Sequence, residues 1–135
     1  MSELYLNRKI DSFLGVWKAD PDRKPLIVKG PRQVGKTESL LRFANENYQS
    51  VVYINFVEEP KYKLITEDGY GTDAIIKNIS RMDPSKQFEP GDTVLFFDEI
   101  QDFPDIATSL KFFKIDGRFD IICSGSLLGI NYKTI

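Results

Sequence analysis

Residues 26–37, read LIVKGPRQVGKT, constrain the fold of this chain more than any other stretch. The apolar run 26–28 leads into G-x-x-x-x-G-K-T over residues 30–37, which is the spacing of a phosphate-binding loop. After the threonine, apolar side chains at positions 40, 41 and 44 follow the spacing of a helix. A strand, a glycine-rich turn and a helix in this order predict an α/β domain that binds phosphate where the helix begins.

The residue types in this phosphate loop, residues 30–37, suit the chemistry of a nucleoside triphosphate. Gly30 and Gly35 allow backbone angles closed to other residues, so successive N–H groups can turn inward around a phosphate. Lys36 would place its charge on the β- and γ-phosphates, and Thr37 would offer its hydroxyl to Mg²⁺. The nucleotide-binding residues that we predict are Gly30, Pro31, Arg32, Gln33, Val34, Gly35, Lys36, Thr37 and Glu38.

Composition narrows the classes of function. The 135 residues suffice for one domain, 1–135, with a hydrophobic core. A net charge of −2 without a basic block argues against a nucleic-acid partner. The absence of histidine removes Ser-His-Asp and Cys-His catalysis and the usual zinc ligands.

The single cysteine and the hydropathy pattern indicate where in the cell the protein is expected. Cys123 lies in the apolar run 121–123, which predicts a buried and inert thiol, and one cysteine cannot form an internal disulfide. Charged residues interrupt the N-terminus too early for a signal peptide, and no apolar run has the length of a membrane span. We therefore expect a cytoplasmic protein with no membrane partner.

The first 19 residues predict a helix that flanks the domain. Apolar side chains at Leu6, Ile10, Phe13, Leu14 and Trp17 form one stripe at helical spacing. The stripe favours a packing helix, with a helix that brings an aromatic side chain to an adenine pocket as the alternative. A charged stretch with two prolines, 19–25, separates this helix from the first strand.

The remainder of the chain alternates between strand and helix patterns. This alternation predicts right-handed crossovers and a parallel sheet with helices on both faces, the three-layer architecture of P-loop NTPases. The predicted strands are 26–29, 51–56, 93–99 and 119–123, and the predicted helices begin at the phosphate loop, at an N-cap on Thr72 and after Pro104.

Acidic and polar residues follow three of these strands. Asp98 and Glu99 emerge where an apolar strand ends, and ligands of open α/β sheets bind at that edge. Asp98 would hold Mg²⁺, and Glu99 would orient and deprotonate the attacking water. Such a pair is often only a solvated turn, but a phosphate loop in the same α/β chain strengthens the interpretation. Ser124, Ser126 and Asn55 are further polar candidates, with turn formation beside Gly125 as the alternative for the two serines.

An additional strand between the phosphate-loop strand and the Asp-Glu strand is typical of one group of P-loop ATPases. The segments WK at 17–18, RKPL at 23–26, GPRQVGKT at 30–37, LFFDEIQ at 95–101, LKFF at 110–113 and GSLLG at 125–129 occur in this order. Together they resemble the N-terminal AAA-like ATPase domain of a large prokaryotic family of uncharacterised ATP-binding proteins with a C-terminal domain of unknown function.

The resemblance implies ATP binding at residues 30–37, a Walker-B pair at Asp98 and Glu99, and a sensor position at 124–126. It also implies the sheet order 5-1-4-3-2. Family members continue past the GSLLG segment, so we expect the fifth strand, a second sensor and an arginine finger to be missing here. Arg118 precedes the fourth strand and is a poor candidate for such a finger. The missing C-terminal region of the same protein is then an expected partner.

These features predict that the chain binds ATP and Mg²⁺, with hydrolysis in the intact protein and weak turnover by these residues alone. Lys36, Glu99 and Ser124 are the predicted catalytic residues, and Thr37 and Asp98 the metal ligands. A nucleotide-dependent switch or interaction module with little turnover is the alternative. A nucleotide kinase fits less well because no acceptor lid is evident, and the Asn-Lys-x-Asp motif of GTPases is absent. Homo-oligomerisation stays open, since AAA relatives commonly assemble.

Overall fold

The structure, a computed structural model, describes residues 2–30 and 35–126, with backbone alone for residues 2–8 and for Ser126. Helices and strands alternate along this part of the chain. The elements are α1 (Ser2–Ala19), β1 (Leu26–Gly30), α2 (Lys36–Asn47), β2 (Ser50–Asn55), a 3₁₀ helix (Pro60–Thr66), α3 (Thr72–Met82), β3 (Thr93–Asp98), a 3₁₀ turn (Ile100–Asp102), α4 (Ile106–Asp116) and β4 (Asp120–Ser126).

The four strands form one parallel sheet in the order β1-β4-β3-β2. This confirms the predicted α/β fold, and the order agrees with the one that the resemblance implies for these strands. The register places Val28 beside Ser124, and Asn55 beside Asp98. Because all strands run in one direction, the ends of β1, β3 and β4 meet at one edge of the sheet, together with the start of α2.

The sheet is buried on both faces, as expected for parallel strands between helices. Every residue of β3 is buried, and its side chains alternate between the two faces. Val94 and Phe96 pack beneath α1 and α2, whereas Leu95 and Phe97 pack beneath α3, α4 and the 3₁₀ helix. The near-continuous apolar sequence of β3 therefore reflects two separate core layers.

We predict that Phe97→Ala lowers the free energy of unfolding by about 3–5 kcal/mol, because it opens a cavity in the larger core layer. The Phe97 ring is fully buried, with centroids 5.9 Å from Phe56 and 6.3 Å from Phe113. Urea unfolding followed by circular dichroism measures the change. Ile115→Ala is the control, since Ile115 is 80% exposed on α4 and should cost about 0.5 kcal/mol or less.

Some boundaries differ from the sequence predictions. Strand β4 continues to Ser126 instead of ending at Cys123, because it pairs with the last residues of β1. The 3₁₀ helix Pro60–Thr66 lies between β2 and α3, where the sequence analysis placed no helix or strand. The predicted N-cap was wrong by one position, since Gly71 occupies it and the buried Thr72 hydroxyl has no hydrogen-bond partner among the described residues.

Helix α1 is a packing helix over the part of its surface that the structure describes. Leu14 is fully buried in the core layer shared with α2. The Trp17 indole donates a hydrogen bond from Nε1 to the carbonyl of Lys24 at 2.8 Å, which places Trp17 at the amino end of β1, opposite the phosphate loop. Trp17 therefore cannot serve as the aromatic wall of an adenine pocket. None of the helices in the described ranges is both long and apolar enough to cross a bilayer.

Candidate nucleotide-binding site

Three segments that are distant in sequence meet at the carboxyl edge of the sheet. Helix α2 begins there with Lys36 and Thr37. The Lys36 ammonium donates from Nζ to the carbonyl of Gly125 on β4 at 3.2 Å. The Thr37 hydroxyl donates from Oγ1 to Oδ2 of Asp98 at the end of β3, at 2.9 Å. The structure thus brings together an ammonium, a hydroxyl, a carboxylate and a backbone carbonyl, and the ammonium and the carbonyl are 89 positions apart in the sequence.

The two glycines of the phosphate loop differ in conformation. Gly35 precedes α2 with φ 99° and ψ −16°, in the left-handed region that favours glycine. Gly30 has no positive φ, because it is still part of β1 and lies beside Ser126. Of the two glycines that were expected to allow backbone angles closed to other residues, Gly35 therefore adopts such an angle, whereas the φ of Gly30 does not require glycine. Pro31, Arg32, Gln33 and Val34 lie outside the described residues.

Helix α2 presents its positive end at this edge. The first-turn N–H groups of an α-helix have no acceptor within the helix, and its macrodipole favours an anion in front of them. The first hydrogen bond within α2 runs from the N–H of Ser39 to the carbonyl of Gly35, at 2.8 Å. Glu38 has an exposed side chain, so its predicted contribution to a phosphate would come from the backbone.

Asp98 is the most constrained group of the site. It is 3% exposed, and its carboxylate accepts three hydrogen bonds. Oδ2 accepts from Thr37 and from the phenol of Tyr53 at 2.7 Å, and Oδ1 accepts from the N–H of Glu99 at 2.8 Å. A buried charge is tolerated only when it is paired or hydrogen-bonded in this way.

Glu99 has an unusual backbone. Its φ of 58° and ψ of 45° make it the one residue other than glycine with positive φ in the described ranges. Such strain is uncommon and concentrates at functional sites. Gln101 donates from Nε2 to Oε1 of Glu99 at 3.3 Å, so the half-buried carboxylate of Glu99 is held by the Gln101 side chain.

Ser124 is fully buried, and its hydroxyl has no hydrogen-bond partner in the part of the chain that the structure describes. It precedes Gly125, whose carbonyl accepts the Lys36 ammonium. Because Ser124 belongs to β4, it does not form the turn that was its alternative role. The Ser126 side chain lies outside the described residues. An unpaired buried hydroxyl costs about 1–3 kcal/mol, so a further acceptor or donor at this position would be stabilising.

Two residues of the site were missed by the sequence analysis, namely Tyr53 and Gln101. Asn55, a weaker candidate, accepts the N–H groups of Val57 and Glu58 on Oδ1, each at 2.9 Å, and donates from Nδ2 to the Tyr53 phenol at 3.3 Å. It therefore closes the turn after β2 and reaches Asp98 only through Tyr53. A tyrosine in an apolar parallel strand was the available signal, since a buried phenol usually finds a partner.

Other reactive or charged residues lie away from this edge. Arg23 pairs with Asp120 at the amino end of β4, and Arg42 pairs with Asp11 on the surface between α1 and α2. Arg118 pairs with Asp73 and Asp116, also away from the phosphate loop. Burial raises the pKa of the Cys123 thiol, which favours an inert side chain.

A parallel sheet of this order, with a phosphate-loop pattern before α2 and an acidic residue at the end of β3, defines a P-loop NTPase fold of the AAA type. A family model described as an AAA domain matches residues 22–135. The chain therefore belongs to the AAA-domain family, which supports nucleotide binding.

Among solved structures, PCH-2 of C. elegans is similar in fold, with a TM-score of 0.55 and 15% sequence identity. The alignment covers 95% of this chain and 39% of that chain, so the present chain spans well under half of the PCH-2 structure. At this identity the likeness concerns the fold alone. The sequence matches no curated protein.

Proposed function

We propose that residues 1–135 bind ATP together with Mg²⁺, and that the intact protein hydrolyses the ATP. The hydrogen bond between Thr37 and Asp98 is the observation that carries this proposal. It joins the last residue of the phosphate-loop pattern to the acid at the end of β3. A hydroxyl and a carboxylate in contact are the pair that P-loop NTPases use to hold the metal.

The donors at this position suit Mg²⁺. Thr37 and Asp98 supply hard oxygen atoms, and Mg²⁺ in phosphate sites takes one or two such protein groups, with water and phosphate oxygens as the other ligands. Among the described side chains, those of residues 9–30 and 35–125, no group of three or more His, Cys, Asp or Glu could hold a metal alone. Two protein ligands suit a cation that arrives with a nucleotide. Bound Mg²⁺ would neutralise charge that develops on the β- and γ-phosphates.

Three further side chains would act on the phosphates and on the attacking water. Lys36 would contact the β- and γ-phosphates. Its ammonium carries three donors, so the hydrogen bond to the Gly125 carbonyl uses one of them. Glu99 would accept a proton from the water that attacks the γ-phosphorus, and Gln101 would keep its carboxylate oriented. The unpaired hydroxyl of Ser124 would hydrogen-bond the γ-phosphate or that water.

A nucleotide-dependent switch with little turnover is the second candidate. It is supported by three arginines of the described residues, because Arg23, Arg42 and Arg118 are engaged in ion pairs away from the phosphate loop. A P-loop NTPase that lacks an arginine finger turns over about 10³-fold or more slowly. We therefore propose slow hydrolysis by this chain and an arginine supplied by another subunit or another segment.

Calorimetric titration of ATP into the purified protein, with Mg²⁺ and again with EDTA, tests the proposal. We expect saturable binding that is tighter with Mg²⁺. A protein that circular dichroism shows to be folded but that binds no ATP under either condition would contradict it. GTP serves as a comparison, and we expect weaker binding because no guanine-recognition motif is present.

Association with further protein is also proposed. AAA-domain proteins often oligomerise. Within the described residues β1 is an edge strand, and the neighbouring face of α1 exposes Phe13 (59%) and Val16 (72%). Open edges and exposed apolar side chains favour association. Sedimentation of the purified chain with and without ATP tests for a second copy. A chain that stays monomeric under both conditions would favour the C-terminal region that the resemblance implies.

We also propose a reducing, cytoplasmic location, which the single buried Cys123 supports.

A further inference from the structure

Two hydroxyl groups share one oxygen atom of Asp98. The Thr37 hydroxyl and the Tyr53 phenol both donate to Oδ2, at 2.9 Å and 2.7 Å. Thr37 belongs to the phosphate loop, whereas Tyr53 comes from the middle of β2, outside every motif of the sequence. The Tyr53 contact therefore adds a group to the proposed metal site that the phosphate-loop pattern does not include.

The surroundings of Tyr53 fix the direction of its phenol. Its ring packs edge-on against Phe96, its neighbour in the register of β2 and β3, with centroids 5.1 Å apart and planes at 65°. Asn55 donates to the phenol oxygen at 3.3 Å, which leaves the phenol proton for Asp98.

We infer that Tyr53 is a positioning residue that holds the Asp98 carboxylate in the orientation needed to receive the metal of a metal–nucleotide complex. This inference rests on the proposed function. The hydroxyl of Thr37 is expected to contact the cation directly, so the Tyr53 phenol is the side-chain group that keeps Asp98 oriented, together with the N–H of Glu99 on Oδ1. Residues that hydrogen-bond a ligating carboxylate typically contribute about 10–100-fold to metal affinity.

Tyr53→Phe separates this role from packing, because it keeps the ring against Phe96 and removes only the hydroxyl. Mn²⁺ is the probe, and electron paramagnetic resonance measures its binding in the presence of ADP, which is not hydrolysed. We expect the apparent dissociation constant of Mn²⁺ to rise about 10-fold in Tyr53→Phe. The affinity for ADP alone, measured in EDTA, should change less than about twofold, because Tyr53 is not expected to touch the nucleotide.

Tyr48→Phe is the matched control. The Tyr48 phenol also donates to an aspartate, Asp120, but at the amino end of the sheet, opposite the phosphate loop. Both variants lose one hydrogen bond between a phenol and a carboxylate, so urea unfolding should show similar losses of stability. Only Tyr53→Phe should weaken Mn²⁺ binding.

The outcomes distinguish this inference from the proposed function. Unchanged Mn²⁺ affinity in a folded Tyr53→Phe protein would overturn the positioning role and leave the proposed function intact. Equal weakening by Tyr48→Phe would also overturn it, because the effect would then follow general stability. A wild-type protein that binds neither ADP nor Mn²⁺ would overturn both.

Discussion

Lys36→Ala should weaken the binding of Mg-ATP by about 100-fold or more. A hydrogen bond to a charged group contributes about 1.5–3 kcal/mol, and 100-fold corresponds to about 2.7 kcal/mol. The ammonium of Lys36 is the one charge of the phosphate-loop pattern that the structure describes at the carboxyl edge, and it lies beside Gly125 on β4. Calorimetric titration of ATP into both proteins measures the difference.

Lys111→Ala is the control, because it removes the same charge from the exposed surface of α4. We expect its ATP affinity to equal that of the wild-type protein. Circular dichroism is needed for Lys36→Ala, since the variant also loses the hydrogen bond to Gly125. A folded Lys36→Ala protein with unchanged affinity would show that the phosphate loop does not bind the triphosphate.

Glu99→Gln should slow ATP hydrolysis by about 100-fold or more while ATP affinity changes less than about threefold. A general base contributes about 10²–10⁴-fold to the rate, and an amide cannot accept the proton of the attacking water. The variant keeps the shape of the side chain and an oxygen that can accept the hydrogen bond from Gln101. Because slow turnover is expected, hydrolysis is best followed with labelled ATP and the protein in excess.

Asp102→Asn provides the comparison for Glu99→Gln. The Asp102 carboxylate lies three residues further on and pairs with Lys63 on the surface. The Asp102→Asn protein should hydrolyse ATP at the wild-type rate. An equal loss of hydrolysis rate in both variants would argue against a specific role for Glu99. Tight ATP binding with no measurable hydrolysis by the wild-type protein would favour the nucleotide-dependent switch over the hydrolase.

The sequence alone determined the class of fold and two parts of the site, the phosphate loop and Asp98. Strands and helices could be predicted because apolar runs such as that of β3 and the helical stripes are local patterns, each readable within a window of a dozen residues. The phosphate-loop spacing and the position of Asp98 after an apolar strand were equally local. Parallel strands align their carboxyl ends, so these two motifs could be expected to lie at one edge.

Contacts between segments were decided only by the tertiary structure. The hydrogen bond from Lys36 to Gly125 depends on β4 lying next to β1, and that from Tyr53 to Asp98 depends on the register of β2 against β3. The extension of β4 beyond Cys123 and the φ of Gly30 have the same origin, because each depends on the pairing of β1 with β4. Strand pairing joins residues that are tens of positions apart. Local patterns show which residues form a strand, but packing of the whole core selects its neighbour and its register.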